Sequence, residues 1–333
     1  MPIFYLNISS LSRGAGRRAT AAAAYRAGER IRDHRSGTLY NFSRRRDVLH
    51  TEIFLPERFS GAPVHWARDR EQLWNTAEYA EKHYNGRVAR EYQVTLPVEL
   101  NPTQRLSLAR VFAKELAERY KVAVDLAVHA PPAGGDPRNF HAHLLTTTRE
   151  VTPGGLGAKT GLDLHMRERQ RRGLPDHRQE FVNVREGWAA LVNDALREAN
   201  IAARVDHRSL AAQGIDREPV PAIPLMHLKM EQQGLRSSLA DRLRIEYWER
   251  VQARRALALS AEPQAGAQQS VSERQSAAGE VARPDASVKG KELDEIRREA
   301  REAWLRLRAA TEQPERDQEA SESLAEPGDE LTL

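Results

Sequence analysis

Short stretches rich in apolar and β-favouring residues predict β-strands, and in one of them, residues 89–97, apolar and polar residues alternate as in a half-buried strand. The predicted strands lie at residues 2–9, 50–56, 89–97, 122–130 and 140–148. Helical spacing of apolar residues, or a helix-forming composition, predicts helices between them and after them. These predicted helices span residues 19–31, 66–84, 101–120 and about 180–200.

The order of these elements predicts the fold class. Strands and helices alternate along the chain until the last two strands, which follow each other around a Pro/Gly-rich turn. This order indicates an α/β sandwich with an open antiparallel or mixed sheet, and we expect the helices to lie on one of its faces.

The apolar periodicity fades beyond residue 260, where the composition changes to Ala, Gln, Ser and Glu. Such a composition is typical of segments that cannot bury a core of their own. We therefore expect a main domain followed by a looser C-terminal region. The predicted boundaries are a domain at 1–220, a helical extension at 221–260, a linker at 261–290, a charged helix at 291–310 and a disordered acidic tail at 311–333.

The charge of the chain is unevenly distributed. The totals nearly cancel, with 51 Lys and Arg against 47 Asp and Glu, but the first 50 residues are rich in arginine and the last 23 are acidic. A basic N-terminal region favours a polyanionic partner, because guanidinium groups bind phosphate through paired hydrogen bonds. The sequence has no cysteine, which excludes disulfides, thiolate metal sites and cysteine nucleophiles. It also lacks a signal peptide and a long apolar run, so we expect a soluble, cytoplasmic protein without membrane insertion.

Three histidines are the strongest candidates for chemistry. His141 and His143 lie two residues apart on a predicted strand, so both side chains point to one face of the sheet. His129 ends the preceding strand, where a hairpin would bring it alongside them. Neutral imidazoles suit Mn, Co, Ni or Zn, whereas Mg would need substrate oxygens to complete its shell. The alternative interpretation is that one or two of these histidines only pack or form hydrogen bonds within the sheet.

Tyr25 is the candidate nucleophile for such a site. It lies in an Ala-rich helix directly after the basic, glycine-bearing loop 12–18. A tyrosine hydroxyl attacks poorly unless a metal, a base or cationic surroundings favour the phenolate. The amides at the helix start, together with Arg13, Arg17 and Arg18, predict an anion site next to Tyr25. The alternative interpretation of Tyr25 is an ordinary half-buried helix aromatic.

The sequence lacks the motifs of several other kinds of functional site. The stretch GGLGAKTG at 154–161 lacks the first glycine of a nucleotide phosphate loop, because Pro153 stands at that position. The zinc-protease pattern H-E-x-x-H and the deaminase pattern P-C-x-x-C are both missing from the sequence. The histidines and Tyr25 therefore remain the candidates.

Four stretches of the sequence together resemble the MobA/MobL family of plasmid mobilisation relaxases, which includes the N-terminal domains of TraA-type conjugation proteins. In chain order they are RGAGRRATAAAAYRAGERIRDHRSG, REYQVTLPVEL, VHAPPAGGDPRNFHAHLLTTTRE and VDHRSLAAQGIDREP, all within about residues 1–220. The resemblance implies a relaxase-like sandwich with a central, mainly antiparallel sheet and flanking helices.

The resemblance also implies roles for individual residues. Tyr25 falls on the family's nucleophile, and Glu91, in REYQ, falls on a strand carboxylate that acts as a base or orients a ligand. The implied ligands of a divalent metal, Mn or Mg with Zn, Co and Ni as alternatives, are His129, His141 and His143. The arginines expected to bind DNA are Arg13, Arg17, Arg18, Arg26, Arg44, Arg45 and Arg46.

The implied activity is that of a site- and strand-specific DNA transesterase. Tyr25 would attack a phosphate at a plasmid origin of transfer, retain the 5′ phosphate as a phosphotyrosyl intermediate, and rejoin the strand after conjugative transfer. The implied partners are single-stranded DNA at that origin, accessory mobilisation proteins and the coupling protein of a type IV secretion system.

Three other functions are open to the same residues. A replication initiator or transposase would use the same metal and tyrosine. A metal-dependent nuclease would activate water instead and would remain active after the substitution Tyr25→Phe. A non-enzymatic accessory protein with a structural metal would bind DNA and leave it intact.

Overall fold

The computed structural model of the chain describes residues 4–61, 64–132 and 136–261. The chain divides into two compact units, a first unit that ends at Arg208 and a second unit that begins at Ser209. The predicted linker, charged helix and acidic tail beyond residue 261 lie outside the described residues. The assignment of functional domains along the chain stays a prediction.

Five strands of the first unit form the central sheet. They are β1 Leu6–Ser12, β4 Val48–Phe54, β5 Arg87–Thr95, β6 Val124–His129 and β7 His141–Thr147. Their spatial order is β1-β5-β7-β6-β4, and every neighbouring pair is antiparallel. Two small ribbons accompany this sheet, β2 Arg30–Arg32 with β3 Leu39–Asn41, and β8 Arg149–Thr152 with β9 Gly155–Lys159. The predicted α/β class with a central antiparallel sheet is confirmed.

Helices flank the sheet in the first unit, and the described part of the second unit contains two further α-helices. Those of the first unit are α1 Ala19–Ala27, α2 His65–Arg68, α3 Arg70–Ala80, α4 Pro102–Tyr120, α5 Met166–Arg171 and α6 His177–Glu198. Those of the second unit are α7 Leu225–Gln232 and α8 Ser238–Ala261. Among the described helices, none combines the length and apolar character that crossing a bilayer requires.

Local signals explain where the helices begin and end. At the start of α4, Asn101 and Gln104 form a reciprocal capping box. Helix α1 is shorter than predicted because Gly28 adopts a left-handed conformation (φ 66°) and ends it. The single helix predicted at 66–84 is two helices, since Asp69 is extended and its side chain caps α3 by accepting a hydrogen bond from the N–H of Gln72.

The sheet separates two apolar cores. Tyr92 and Leu144 point to the face covered by α4 and α6, where the ring of Phe112 also packs. Leu145 points to the opposite face and packs with the core that includes Trp74 of α3. The expectation that all helices lie on one face was therefore wrong. The central strands are buried on both sides, and the small side chains of α1 let that helix lie close to the second face.

A buried ion pair joins α3 to β6. Arg70 donates from Nε and Nη2 to the two carboxylate oxygens of Asp125, at 2.8 and 2.9 Å, and Trp74 Nε1 donates to the same group at 2.8 Å. Asp125 is only 5% exposed. Removing one partner of a buried pair leaves the other charge uncompensated, although here Glu29 also contacts Arg70.

We expect the substitution Asp125→Ala to lower the free energy of unfolding by about 3 kcal/mol. Urea denaturation of the full chain measures this change. The matched control is Asp194→Ala, which removes the acid of an exposed pair with Arg197 and should cost less than about 1 kcal/mol. Equal effects of the two substitutions would contradict the expected contribution of the buried pair.

Candidate active site

The three histidines form one cluster at the end of the β6–β7 hairpin. His129 pairs directly with His141 across the two strands, and His143 follows two residues later on the same face. The three ring centroids lie 4.9–5.3 Å apart, and one ligand atom from each ring lies within 4.8 Å of the others. The hairpin geometry predicted from the sequence is confirmed.

Each imidazole uses one ring nitrogen in a hydrogen bond to an oxygen atom of the protein. Nε2 of His129 lies 2.7 Å from the carbonyl oxygen of Arg26. Nδ1 of His141 lies 2.9 Å from a backbone carbonyl, and Nδ1 of His143 lies 2.7 Å from Glu91 Oε1. Carbonyl and carboxylate oxygens only accept, so these nitrogens carry the ring protons. In the neutral form of each ring the opposite nitrogen keeps its lone pair, and metal-binding histidines are held in the same way.

Burial keeps His129 and His141 in the neutral form. Burial lowers the pKa of His129 to about 4 and lowers the pKa of His141 as well. Neutral imidazole is the form of histidine that binds metal ions. Three converging imidazole nitrogens on one sheet face therefore fit a divalent cation.

Glu91, on β5, lies between the cluster and α1. Its Oε1 accepts hydrogen bonds from His143 Nδ1 and Arg26 Nε, and its Oε2 accepts from Arg26 Nη2. Burial alone would raise the pKa of Glu91, but the hydrogen bonds from His143 and Arg26 lower it to about 2. A carboxylate so strongly held in its ionised form is a poor base. Of the two roles implied for Glu91, the geometry favours orienting His143.

We expect the substitution Glu91→Gln to weaken Mn²⁺ binding by roughly 10- to 100-fold, the usual cost of losing a hydrogen-bond partner of a metal ligand. The amide keeps the volume of the side chain but loses the charge that holds His143 and Arg26. Calorimetric titration of the full chain with Mn²⁺, without DNA, measures the affinity. Glu52→Gln is the control, because Glu52 pairs with Arg110 and faces the side of the sheet covered by α4. Unchanged Mn²⁺ affinity in Glu91→Gln would contradict the orienting role.

Tyr25 lies in the last turn of α1, and 49% of its surface is exposed. Phe42 meets the tyrosine ring edge-on at a centroid distance of 5.2 Å, and the guanidinium carbon of Arg45 lies 4.1 Å from the ring centroid. The next residue, Arg26, bonds to His129 through its carbonyl and to Glu91 through its guanidinium. The structure thus fixes the helix end that carries Tyr25 to the histidine cluster.

The start of α1 differs from the prediction of an anion site. Oε1 of the buried Glu78 accepts a hydrogen bond from the N–H of Ala19 at 2.6 Å, and Oε2 accepts one from Arg13 Nε at 3.2 Å. A carboxylate of the protein therefore occupies the position that we predicted for a bound phosphate. Ser12, where the loop begins, pairs with Arg87 of β5, whereas His143 pairs six residues further along that strand.

The arginines predicted to bind DNA differ in their surroundings. Arg13 and Arg26 are held by Glu78 and Glu91. Arg18 and Arg45 are half-buried. The exposed members of the set are Arg17, Arg44 and Arg46.

Asp47 also lies at the cluster, although the sequence analysis did not single it out. Its Oδ2 is 4.0 Å from Nδ1 of His129. In the sequence, Asp47 is marked only as an isolated acid after three arginines, in the stretch RRRD, immediately before a strand. This position indicates a place beside His129 only once the pairing of β4 with β6 is known.

Fold and site together define a class of protein, an α/β sandwich whose antiparallel sheet presents a histidine triad beneath a helix with an exposed tyrosine. The chain belongs to the MobA/MobL family, whose family model matches residues 17–233. The resemblance identified from the sequence is confirmed.

Two curated relatives and one solved structure illustrate this membership. The chain is 38% identical over 240 residues to "Mobilization protein MobL" of Acidithiobacillus ferridurans, covering 66% of this chain and 61% of the relative. It is 30% identical over 262 residues to "Conjugal transfer protein TraA" of Agrobacterium fabrum (strain C58), covering 72% of this chain and 23% of the relative. The chain therefore spans less than two thirds of the length of either relative.

The solved structure is described as "Molecular Basis of Vancomycin Resistance Transfer in Staphylococcus aureus". It is 27% identical to this chain and superposes with a TM-score of 0.50. The match covers 62% of this chain and 99% of the solved one. The two proteins are thus similar in fold as well as in sequence.

Proposed function

We propose that the chain is a DNA relaxase that nicks one strand at a plasmid origin of transfer and rejoins it after conjugative transfer. The observation that carries the proposal is the attachment of the Tyr25 helix end to the histidine cluster through Arg26. The exposed phenol of Tyr25 and the backbone oxygen that accepts a hydrogen bond from His129 belong to adjacent residues. Membership of the MobA/MobL family, with relatives named for mobilisation and conjugal transfer, supports the same conclusion.

In this proposal His129, His141 and His143 hold a divalent metal, Mn or Mg, with Zn, Co and Ni as alternatives. When bound, such an ion neutralises charge on the scissile phosphate and acts as a Lewis acid. Glu91 keeps the ring of His143 oriented through the hydrogen bond at Nδ1. Arg26 connects this carboxylate to the helix that carries the nucleophile.

The covalent step is a transesterification. The Tyr25 oxygen loses its proton to solvent and attacks the phosphorus in line, and the bond from phosphorus to the 3′ oxygen breaks. The departing oxygen takes up a proton and becomes a 3′ hydroxyl, while the 5′ phosphate stays on Tyr25 as an aryl phosphodiester. One phosphoester bond is exchanged for another, so a 3′ hydroxyl can attack the phosphotyrosine and restore the strand.

The DNA partner in this proposal is single-stranded DNA at the origin of transfer. The exposed Arg17, Arg44 and Arg46 would bind backbone phosphates, so that affinity falls as salt rises. Accessory mobilisation proteins and a type IV secretion coupling protein complete the proposed set of partners, and the proposed compartment is the cytoplasm.

The proposal is tested by incubating the full chain with Mn²⁺ and single-stranded oligonucleotides that tile the DNA flanking its gene. We expect a covalent protein–DNA adduct on a denaturing gel, and its loss after chelation. Cleavage without an adduct would instead indicate a nuclease that activates water. Binding without cleavage under every divalent metal tried would indicate an accessory protein.

A further inference from the structure

We propose that Arg45 is a positioning residue for the nucleophile, and that it holds both the backbone and the ring of Tyr25 in the orientation that attack requires. This inference deepens the proposed function and rests on it, since it takes Tyr25 as the nucleophile. It gives Arg45 a role that acts through Tyr25 and not through a DNA phosphate.

Arg45 binds the C-terminal end of α1. The last carbonyl groups of a helix lack partners within the helix, and the helix dipole favours a cation at this end. Nη1 of Arg45 donates to the carbonyl oxygen of Tyr25 at 2.7 Å. The next carbonyl oxygen, that of Arg26, accepts a hydrogen bond from His129. These two contacts together fix the last turn of the helix, which carries Tyr25.

The guanidinium of Arg45 also packs against the side chain of Tyr25. Its carbon atom lies 4.1 Å from the centroid of the tyrosine ring, which is within the range of a cation–π contact. Phe42 meets the same ring edge-on, with 5.2 Å between the centroids. Two neighbours therefore restrict the orientation of the ring, although 49% of the surface of Tyr25 is exposed.

Asp47 in turn holds Arg45. Nε of Arg45 donates to Oδ1 of Asp47 at 2.9 Å, and Nη2 donates to Oδ2. These hydrogen bonds lower the pKa of Asp47, so the pair stays ionised at neutral pH. The carbonyl oxygen of Asp47 accepts a hydrogen bond from the N–H of Ala130, directly after β6, at 2.8 Å. The contacts thus run from the sheet through Asp47 and Arg45 to Tyr25.

The shape of a guanidinium suits this combination of contacts. It carries five N–H donors in one rigid plane, whereas the ammonium of a lysine is a compact point charge. All three guanidinium nitrogens of Arg45 donate within the protein, and its side chain is only 17% exposed. Arg44 and Arg46, on either side of it in the chain, are exposed. The surroundings therefore favour contacts within the protein for Arg45 and phosphate binding for its two neighbours.

The position of Tyr25 matters because in-line attack requires the phenol oxygen to be aligned with the phosphorus. A displacement of about 1 Å can slow an enzymatic reaction about 100-fold. The substitution Arg45→Lys keeps the positive charge but loses the paired hydrogen bonds and the planar contact with the ring. It should therefore slow the attack even when DNA is saturating. A residue that only binds a DNA phosphate would leave the rate at saturating DNA unchanged.

The experiment measures two quantities on the full chain with an oligonucleotide that the wild type cleaves. Single-turnover cleavage at saturating DNA and Mn²⁺ gives the rate of attack, and fluorescence anisotropy in the presence of a chelator gives the DNA affinity. We expect Arg45→Lys to cleave about 10- to 100-fold more slowly. Its dissociation constant for DNA should stay within about threefold of the wild-type value, because the charge is kept. Its Mn²⁺ affinity in calorimetric titration should be unchanged.

The matched control is Arg208→Lys. Arg208 forms the same kind of two-oxygen pair with an acid two residues away, Asp206, at an exposed position. This substitution should change neither the rate nor the DNA affinity. The comparison for a phosphate contact is Arg44→Gln, which should weaken DNA binding and make it less dependent on salt.

Two results would overturn the positioning role. They are cleavage at the wild-type rate by a folded Arg45→Lys variant, and a slower rate that is accompanied by an equal loss of Mn²⁺ affinity. If Arg45→Lys does not fold, Asp47→Asn is the second test, because it keeps Arg45 and removes the charge that holds it. This variant should cleave about tenfold more slowly at saturating Mn²⁺, and a wild-type rate would contradict the proposal. Failure of the proposed function gives a different result, since the wild-type chain itself would then form no adduct.

Discussion

The substitution Tyr25→Phe should abolish the covalent protein–DNA adduct and slow strand cleavage by about a thousandfold or more, as expected when a nucleophile is removed. Only the hydroxyl oxygen is lost. The phenyl ring keeps its contacts with Phe42 and Arg45, so the end of α1 should retain its position. Single-turnover cleavage of an origin oligonucleotide, followed on a denaturing gel, gives the rate.

The matched control for this loss is Tyr79→Phe. Tyr79 is 57% exposed on α3 and has no role in the proposed chemistry. The control should cleave at the wild-type rate, and both variants should bind Mn²⁺ as tightly as the wild type. Undiminished cleavage by Tyr25→Phe would contradict the covalent mechanism and would favour a nuclease that activates water.

The second large effect is expected from His141→Ala. His141 is half-buried, and its hydrogen bond goes to a backbone carbonyl two residues away, so its removal should disturb the fold less than removal of the fully buried His129. Removing one of three imidazole ligands should weaken Mn²⁺ binding by at least about 100-fold. This loss is larger than that expected when a residue that only supports a ligand is removed. Cleavage at a fixed, low Mn²⁺ concentration should fall in parallel.

Calorimetric titration and the cleavage gel measure these two losses, and His34→Ala is the control. His34 is an exposed histidine that pairs with Glu71, and its removal should change neither quantity. Wild-type Mn²⁺ affinity in His141→Ala would contradict the assignment of the histidine cluster as the metal centre.

The sheet and the cluster follow largely from local sequence signals. Short apolar stretches rich in β-favouring residues predict the strands, and the Pro/Gly-rich turn between β6 and β7 predicts the pairing of these two strands. A hairpin of this kind sets the position of His129 opposite His141, because the pairing partners are close in sequence. The cap of α4 also depends on residues that are close in sequence, Asn101 and Gln104.

The surroundings of the cluster depend on packing between distant segments. The sequence analysis predicts that Arg26 binds DNA, but in the structure its guanidinium is held by Glu91, 65 residues away. It also predicts an anion site at the start of α1, but the carboxylate of Glu78, 59 residues from Ala19, occupies that position. Both positions depend on which helices cover which sheet face. The alternation of residues within a single strand does not contain that information.

The central claim is that Tyr25 attacks DNA, and mass spectrometry of the covalent adduct tests it most directly. The adduct formed by the full chain with Mn²⁺ and an origin oligonucleotide is digested with nuclease and trypsin. Trypsin cleaves after Arg18 and Arg26, so the nucleophile lies in the peptide ATAAAAYR, residues 19–26. We predict that this peptide carries a nucleotide linked through its 5′ phosphate to Tyr25. An adduct on another residue, or cleaved DNA with an unmodified peptide, would contradict the claim.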